Sequence, residues 1–147
     1  MIAAWILFAL LAPIAAADEP PPATSPDEVW VAPAEARTLP NPVPTSPDVL
    51  KRGRGLYSQH CVLCHGESGR GDGPAARTHA RKAKPPQDLT QPAVQRRLSD
   101  GEIFWKITNG HRRGDKIIMP SFEGDIPVPE DRWKLVHYIR SLAAPAP

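Results

Sequence analysis

A chain of 147 residues with a formal net charge of +2 has room for one domain and not for two. Its two cysteines leave no second cluster for a structural zinc site, and no useful length alternates with period two as a thioredoxin-like sheet would. The near-neutral total hides a division: residues 18–47 carry −4, whereas residues 48–147 carry +6.

Residues 1–17, "MIAAWILFALLAPIAAA", contain no charged side chain and end in Ala15-Ala16-Ala17 before Asp18. That is the shape of a secretory signal with a small-residue cleavage site. No lysine or arginine precedes the apolar run. Crossing a bilayer takes roughly 20 apolar residues, and Pro13 interrupts this shorter stretch. Cleavage after Ala17 is expected, with an uncleaved membrane anchor as the competing reading. Either way the rest of the chain is exported, which places it in the periplasm.

Residues 18–47 hold nine of the nineteen prolines. Proline lacks the amide proton and resists helix interior and sheet, so this acidic segment is expected to be an extended linker of roughly 90 Å at about 3.1 Å per residue. "VWVA", residues 29–32, interrupts it with apolar side chains. A short contact back onto the domain is preferred there over a docking peptide for another subunit.

Residues 48–147 form the domain. Ser46-Pro47-Asp48 reads as N-cap, N1 proline and first-turn acid. Val49, Leu50, Gly53, Leu56 and Tyr57 then share one helical face that runs into Cys61. A glycine-rich loop and a basic, proline-marked segment, Arg81 to Pro86, follow, with a short helix around Pro92 to Leu98. In "LSDGEIFWKITNG", Ser99 and Glu102 form a capping box, Ile103, Phe104 and Ile107 share a face, and Gly110 suits the stop. The last helix starts at Pro129 and runs to about Ala143. Leu135, Tyr138, Ile139 and Leu142 form its apolar stripe, and Trp133, His137 and Arg140 fall on the opposite side. The class is all-α: three to five short helices and long loops. So few helices make a thin core for a hundred residues, which calls for something else to fill it.

"CVLCH", Cys61 to His65, supplies the filler. Two thiols one helical turn apart can add to the two vinyl groups of a porphyrin, and the histidine behind them then meets the iron. The rivals are a redox disulfide, natural for exported cysteines, and zinc, which needs a fourth ligand. One covalent haem c is expected, on Cys61 and Cys64, with His65 as an iron ligand.

A low-spin electron-transfer haem takes a methionine or histidine opposite that histidine. Met1 lies in the signal, which leaves Met119, in "KIIMPSF", a loop between two helices. The competing account is a gap-filling core methionine. His111, in the charged run "NGHRRGD", is the next candidate; His137 points away from the core stripe, His60 is too close to Cys61, and His79 lies in a basic loop.

These residues resemble the class I c-type cytochromes over about residues 48–144. Gly53 and Tyr57 stand eight and four positions before Cys61, where that family has the glycine and aromatic of its N-terminal helix. Leu135 and Tyr138 stand where its C-terminal helix crosses. "CHGESGRGDGPAA" with a later "MPSF" looks most like the bacterial branch that includes c-subunits of terminal oxidases and of alternative quinol-oxidising complexes. The resemblance implies a cytochrome c-like fold around one haem and a carbonyl, here that of Pro74, accepting the proximal imidazole's N–H. Trp105 has no clear family counterpart and is expected in the core.

With both axial positions filled, the iron has no open site for substrate. The expected role is therefore single-electron transfer, as a carrier or as a subunit of a respiratory complex, and not catalysis. The alternative is a peroxidase-like enzyme or gas sensor with an exchangeable sixth ligand, for which no convincing distal acid–base pair is present. Ile103, Ile107, Ile117, Ile118 and Phe122 are expected to give the haem apolar cover. The basic clusters Lys51-Arg52-Arg54, Arg77 with Arg81-Lys82-Lys84, and Arg112-Arg113-Lys116 favour a redox partner with an acidic surface. Nucleic acid is not expected, and membrane contact comes only through partners or an uncleaved N-terminus.

Overall fold

The computed structural model describes residues 30–80 and 85–143, without the side chains of 79 and 80. The signal sequence, the acidic part of the linker before Trp30 and the basic run Arg81–Lys84 lie outside the described residues. Seven helices and one hairpin are present among them: α1 (Ala34–Arg37), α2 (Pro47–His60), α3 (Val62–His65), α4 (Ala76–Ala80), α5 (Pro92–Arg97), α6 (Asp100–Asn109), β1 (His111–Arg113), β2 (Lys116–Met119) and α7 (Pro129–Ser141). None of these helices is long and apolar enough to cross a membrane.

The frame is the packing of α2 on α7, the most extensive helix contact among the described residues. Ser46 opens α2, its hydroxyl accepting the Val49 N–H, and Pro47 takes the first turn, where its missing N–H costs nothing. The two backbones meet at Gly53. A methyl there would run into the Lys134 carbonyl and stand 2.8 Å from Tyr138 Cβ. Tyr57 and Tyr138 pack beside the crossing with ring centroids 5.2 Å apart. Gly53→Ala should therefore force the helices apart and cost about 1–3 kcal/mol, the usual range for overpacking. Denaturant unfolding checks this: a variant as stable as the parent would show that the crossing can relax.

Arg52 of α2 also pairs with Asp131 of α7. That pairing, mainly through the hydrogen bond, holds the Asp131 carboxyl below its ordinary value of 3.8. A depressed carboxyl contributes stability above that value and loses it as pH falls through the folded pKa. Because Arg52 is 53% exposed, solvent screening limits the contribution to about 0–1 kcal/mol. Asp131→Asn should cost no more than that at neutral pH, and its unfolding curve should merge with the parent's in acid.

Leu56, Tyr57, Ile103, Ile107, Phe122, Ile126, Trp133, Leu135, Val136 and Ile139 form the buried core. In α6, Ser99 caps the Glu102 N–H as expected, but the Glu102 side chain pairs with Lys106 one turn on. The C-terminal stop falls at Gly110.

Several expectations are corrected. First, residues 110–119 are not plain loop: β1 and β2 form an antiparallel hairpin around a turn at Gly114-Asp115, with Gly114 at φ 56°. The class remains helical, with this one two-stranded addition. Second, Trp133 is not on an outward face. It stacks on Phe104 at 4.1 Å and is buried, because α7 is covered by α2 on one side and by α6 on another. Third, Arg140 is no free surface charge: it pairs with Asp100 and donates to the carbonyls of Gln95 and Leu98, tying α7 to the α5–α6 corner. Trp105 is only half-buried and lies outside the core cluster.

A further correction concerns the linker. Its described part, residues 30–46, is not an extended spacer but a strap on the domain. Ala32 and Ala36 are buried. α1 lies so close to α6 that a Cβ at Gly101 would strike the Ala36 carbonyl. Asn41 Nδ2 donates to the Trp133 carbonyl at 3.1 Å, and His137 Nε2 donates to the Val43 carbonyl at 2.6 Å. The contact expected from "VWVA" is present for Trp30 and Ala32.

Candidate haem site

α2 ends at His60, and one further turn, α3, carries the attachment residues. The Cys64 and His65 amides both donate to the Cys61 carbonyl, at 3.2 and 2.8 Å, so both cysteines and the histidine sit on a single turn. Leu63, between the cysteines, is 62% exposed, whereas Cys61 packs on the core. The loop behind them folds back over the turn. Gly71 N–H donates to the His65 carbonyl (2.8 Å), Gly73 N–H to that of Cys64 (3.2 Å) and Ala75 N–H to that of Leu63 (2.9 Å). Buried Tyr57 donates its hydroxyl proton to the Gly66 carbonyl at 2.9 Å, locking the helix to the loop.

Both cysteines are free thiols. Burial, then the neighbouring Cys64, pushes the Cys61 thiol up to about 12, and burial raises Cys64 as well. A redox-active pair or a zinc site needs the thiolate, which a lowered pKa favours; here the shifts run the other way. Among the described residues no three His, Cys, Asp or Glu side chains gather to hold a metal ion. Burial lowers the pKa of His65, opposed by the backbone of Gln87, so the imidazole is neutral and able to ligate. Its Nδ1 is buried without a hydrogen-bond partner. Two free thiols and a buried, partly orphaned imidazole on one turn fit a haem c.

No hydrogen bond joins His65 to Pro74. The backbone that acts on the ring is that of Gln87, brought over by the segment whose Leu89 N–H donates to the Gly69 carbonyl at 2.7 Å. Met119 ends β2, and it packs on the same core cluster as Cys61 and Val62. The ring of His60, just before Cys61, meets Phe122, three residues beyond Met119, edge-on at 5.9 Å. Phe122 N–H donates to the Ile107 carbonyl at 3.0 Å. The turn bearing the cysteines and the segment bearing Met119 thus close on one another across Phe122. Arg132, buried on α7, donates to the Ile126 carbonyl and so anchors the far end of that segment.

Residues 48–139 match the family described as cytochrome C oxidase, cbb3-type, subunit III. The chain belongs to this family of c-type cytochromes. Two solved structures are similar. One is the KustC0563 c-type cytochrome, 25% identical with a TM-score of 0.52, covering 63% of this chain and 98% of that one. The other is from the Kuenenia stuttgartiensis reducing HAO-like protein complex Kustc0457/Kustc0458, 27% identical with a TM-score of 0.55 over 72% of this chain. The match spans half of that second chain. No curated protein matches. The architecture is the cytochrome c-like fold expected from the sequence.

Of the apolar residues expected over the haem, Ile103, Ile107 and Phe122 are buried and Ile118 is half-buried, but Ile117 is 53% exposed on the hairpin. His111 is not out in solvent. It lies partly buried against Trp30, and burial, then Arg113 and Lys106, lowers its pKa. Gln87 and Arg132 went unrecognised in the sequence, which marks Trp30 only within "VWVA" as a contact onto the domain, not as a neighbour of His111. Trp30 alone left a signal, as an aromatic inside a proline-rich segment.

Proposed function

We propose that this c-type cytochrome transfers single electrons outside the cytoplasm through one haem, held by thioether bonds from Cys61 and Cys64 and ligated by His65 and Met119. The observation that carries the reading is the single turn that brings together two free thiols and a buried imidazole whose Nδ1 has no hydrogen-bond partner. Bound there, the group supplies a reversible one-electron change at its iron. The protein's part is to hold and cover it. Cys61 and Cys64 fix the position; His65 ligates in neutral form. Met119 brings a thioether, which favours the reduced state and raises the potential. The apolar core around Ile103, Ile107 and Phe122 disfavours the extra positive charge of the oxidised state. With His65 and Met119 both engaged, no position is left for substrate, so the role is carrier or electron-transfer subunit. The solved relative named as part of a multi-subunit complex supports a subunit role, and exposed Lys51, Arg54, Arg112, Arg113 and Lys116 favour an acidic partner.

The test is chemical. Protein isolated from an exporting host should keep its haem through acid–organic extraction, with a mass equal to polypeptide plus one haem. The mature mass should start at Asp18. Haem freed by extraction, or a bare polypeptide mass, overturns covalent attachment. A native ferric spectrum lacking the sulfur-to-iron band near the red edge of the visible overturns Met119 and returns the open-site enzyme or sensor reading.

A further inference from the structure

The hairpin offers two ligand donors at one end. His111 and Met119 are partners at the irregular end of the β1–β2 ladder, where the register shifts between His111 and Arg112, so the hairpin brings the two donors close without the geometry of a regular rung. A neutral imidazole is a good iron ligand, so the pairing itself does not select the thioether. What differs is their surroundings: Met119 packs on the core cluster beside Cys61 and Val62, whereas His111 is held outside it. The His111 ring stacks on Trp30, with centroids 4.9 Å apart and planes 30° apart. Lys106 Nζ sits 4.3 Å from the centroid of the same indole, donates to the Trp30 carbonyl and pairs with Glu102. Trp30 is thereby gripped by α6 and in turn grips β1. The indole N–H is buried without a hydrogen-bond partner, so the ring is held by its faces alone.

The geometry points to Trp30 as a positioning residue that keeps His111 off the haem iron and leaves the sixth position to Met119. The inference rests on the Met119 reading above. It gives the strap a part in the redox site through Trp30. The selection uses two contacts that are modest singly. An aromatic stack and a cation over an indole, removed together, shift a two-way balance by about tenfold.

Full-length holoprotein carrying Trp30→Ala tests it. The ferric spectrum should lose much of the sulfur-to-iron band and gain a low-spin species with two nitrogen ligands, its fraction about tenfold above the parent's. The potential should fall with it. Trp30→Ala combined with His111→Ala should recover the sulfur band, and Trp30→Phe, which keeps a flat face and needs no N–H partner, should match the parent. Lys106→Met, which leaves the indole in place, should show a milder form of the Trp30→Ala spectrum; it also serves if Trp30→Ala does not fold. A parent-like band and potential in both Trp30→Ala and Lys106→Met overturns the proposal. So does a lost band that His111→Ala fails to recover, since that reports general loosening of the hairpin. A parent that lacks the sulfur band overturns the Met119 reading and this inference with it. A parent that has the band while Trp30→Ala keeps it overturns only the role of Trp30.

Discussion

Met119→Ala should keep its haem on Cys61 and Cys64, lose the sulfur-to-iron band and show a reduction potential lower by on the order of 0.1–0.2 V, a fraction of the ~0.8 V that axial ligands span. The sign follows from the ligand: a thioether stabilises ferrous iron, and water put in its place does not. The sixth position should then bind cyanide or imidazole, which the parent excludes. His111 should not fill it, because Trp30 still holds the ring at 4.9 Å. The fold should survive, since Met119 is half-buried at the end of a short strand and Phe122 and Ile126 make the deeper contacts of that segment. Titration of the potential and of cyanide binding checks the prediction. Parent values for both would remove Met119 from the iron and make His111 the candidate ligand.

How far the sequence reached depended on whether a feature was local. Ser46-Pro47-Asp48 and Ser99-x-x-Glu102 specify helix starts through contacts three residues apart, and both starts fell where expected. "CVLCH" is one turn of helix, so the placement of its two thiols and imidazole is written in five consecutive residues. Met119 was reached by elimination, and the structure places it at the end of β2 against the core cluster. Features set by distant segments were misread. Trp133 lies opposite the Leu135–Tyr138–Ile139 stripe on a lone helix, yet α7 is flanked on more than one side, so its buried surface is wider than a single stripe. The hairpin hid behind charge: Arg112, Arg113, Asp115 and Lys116 suggested a solvated loop, while Gly114 in a two-residue turn was the overlooked signal. Gln87 reaches His65 only because the glycine-rich loop folds back, which no spacing in the chain announces. The strap was obscured by its own prolines. An extended, proline-rich chain satisfies few of its backbone groups internally, which suits a segment lying along α6 and α7 as well as it suits a free spacer.

A chain beginning at Thr45 should unfold about 10 °C below the parent, on the order of 2 kcal/mol for a domain of about a hundred residues. Truncation uncovers α6 where Ala32 and Ala36 were buried, at about 0.8 kcal/mol for each buried methyl. It removes the hydrogen bonds from Asn41 to the Trp133 carbonyl and from His137 to Val43, each worth about 1 kcal/mol. The Lys106–Glu102 pair also loses Trp30 from above it. Freed chain entropy offsets part of this, since the strap no longer has to be ordered. Charge contributes little: Glu35 and Arg37 are the only charged residues between 30 and 46, and they cancel. Four of the five acids of residues 18–47 lie before Trp30, so the strap is held by packing and hydrogen bonds. Raising the salt from 0.15 M, where the Debye length is already about 8 Å, should therefore leave the difference between truncated and full-length protein unchanged. A difference that shrinks in high salt would mean that the acidic leader holds the strap through the basic domain, and an unchanged melting temperature would mean that residues 30–44 add nothing to the fold.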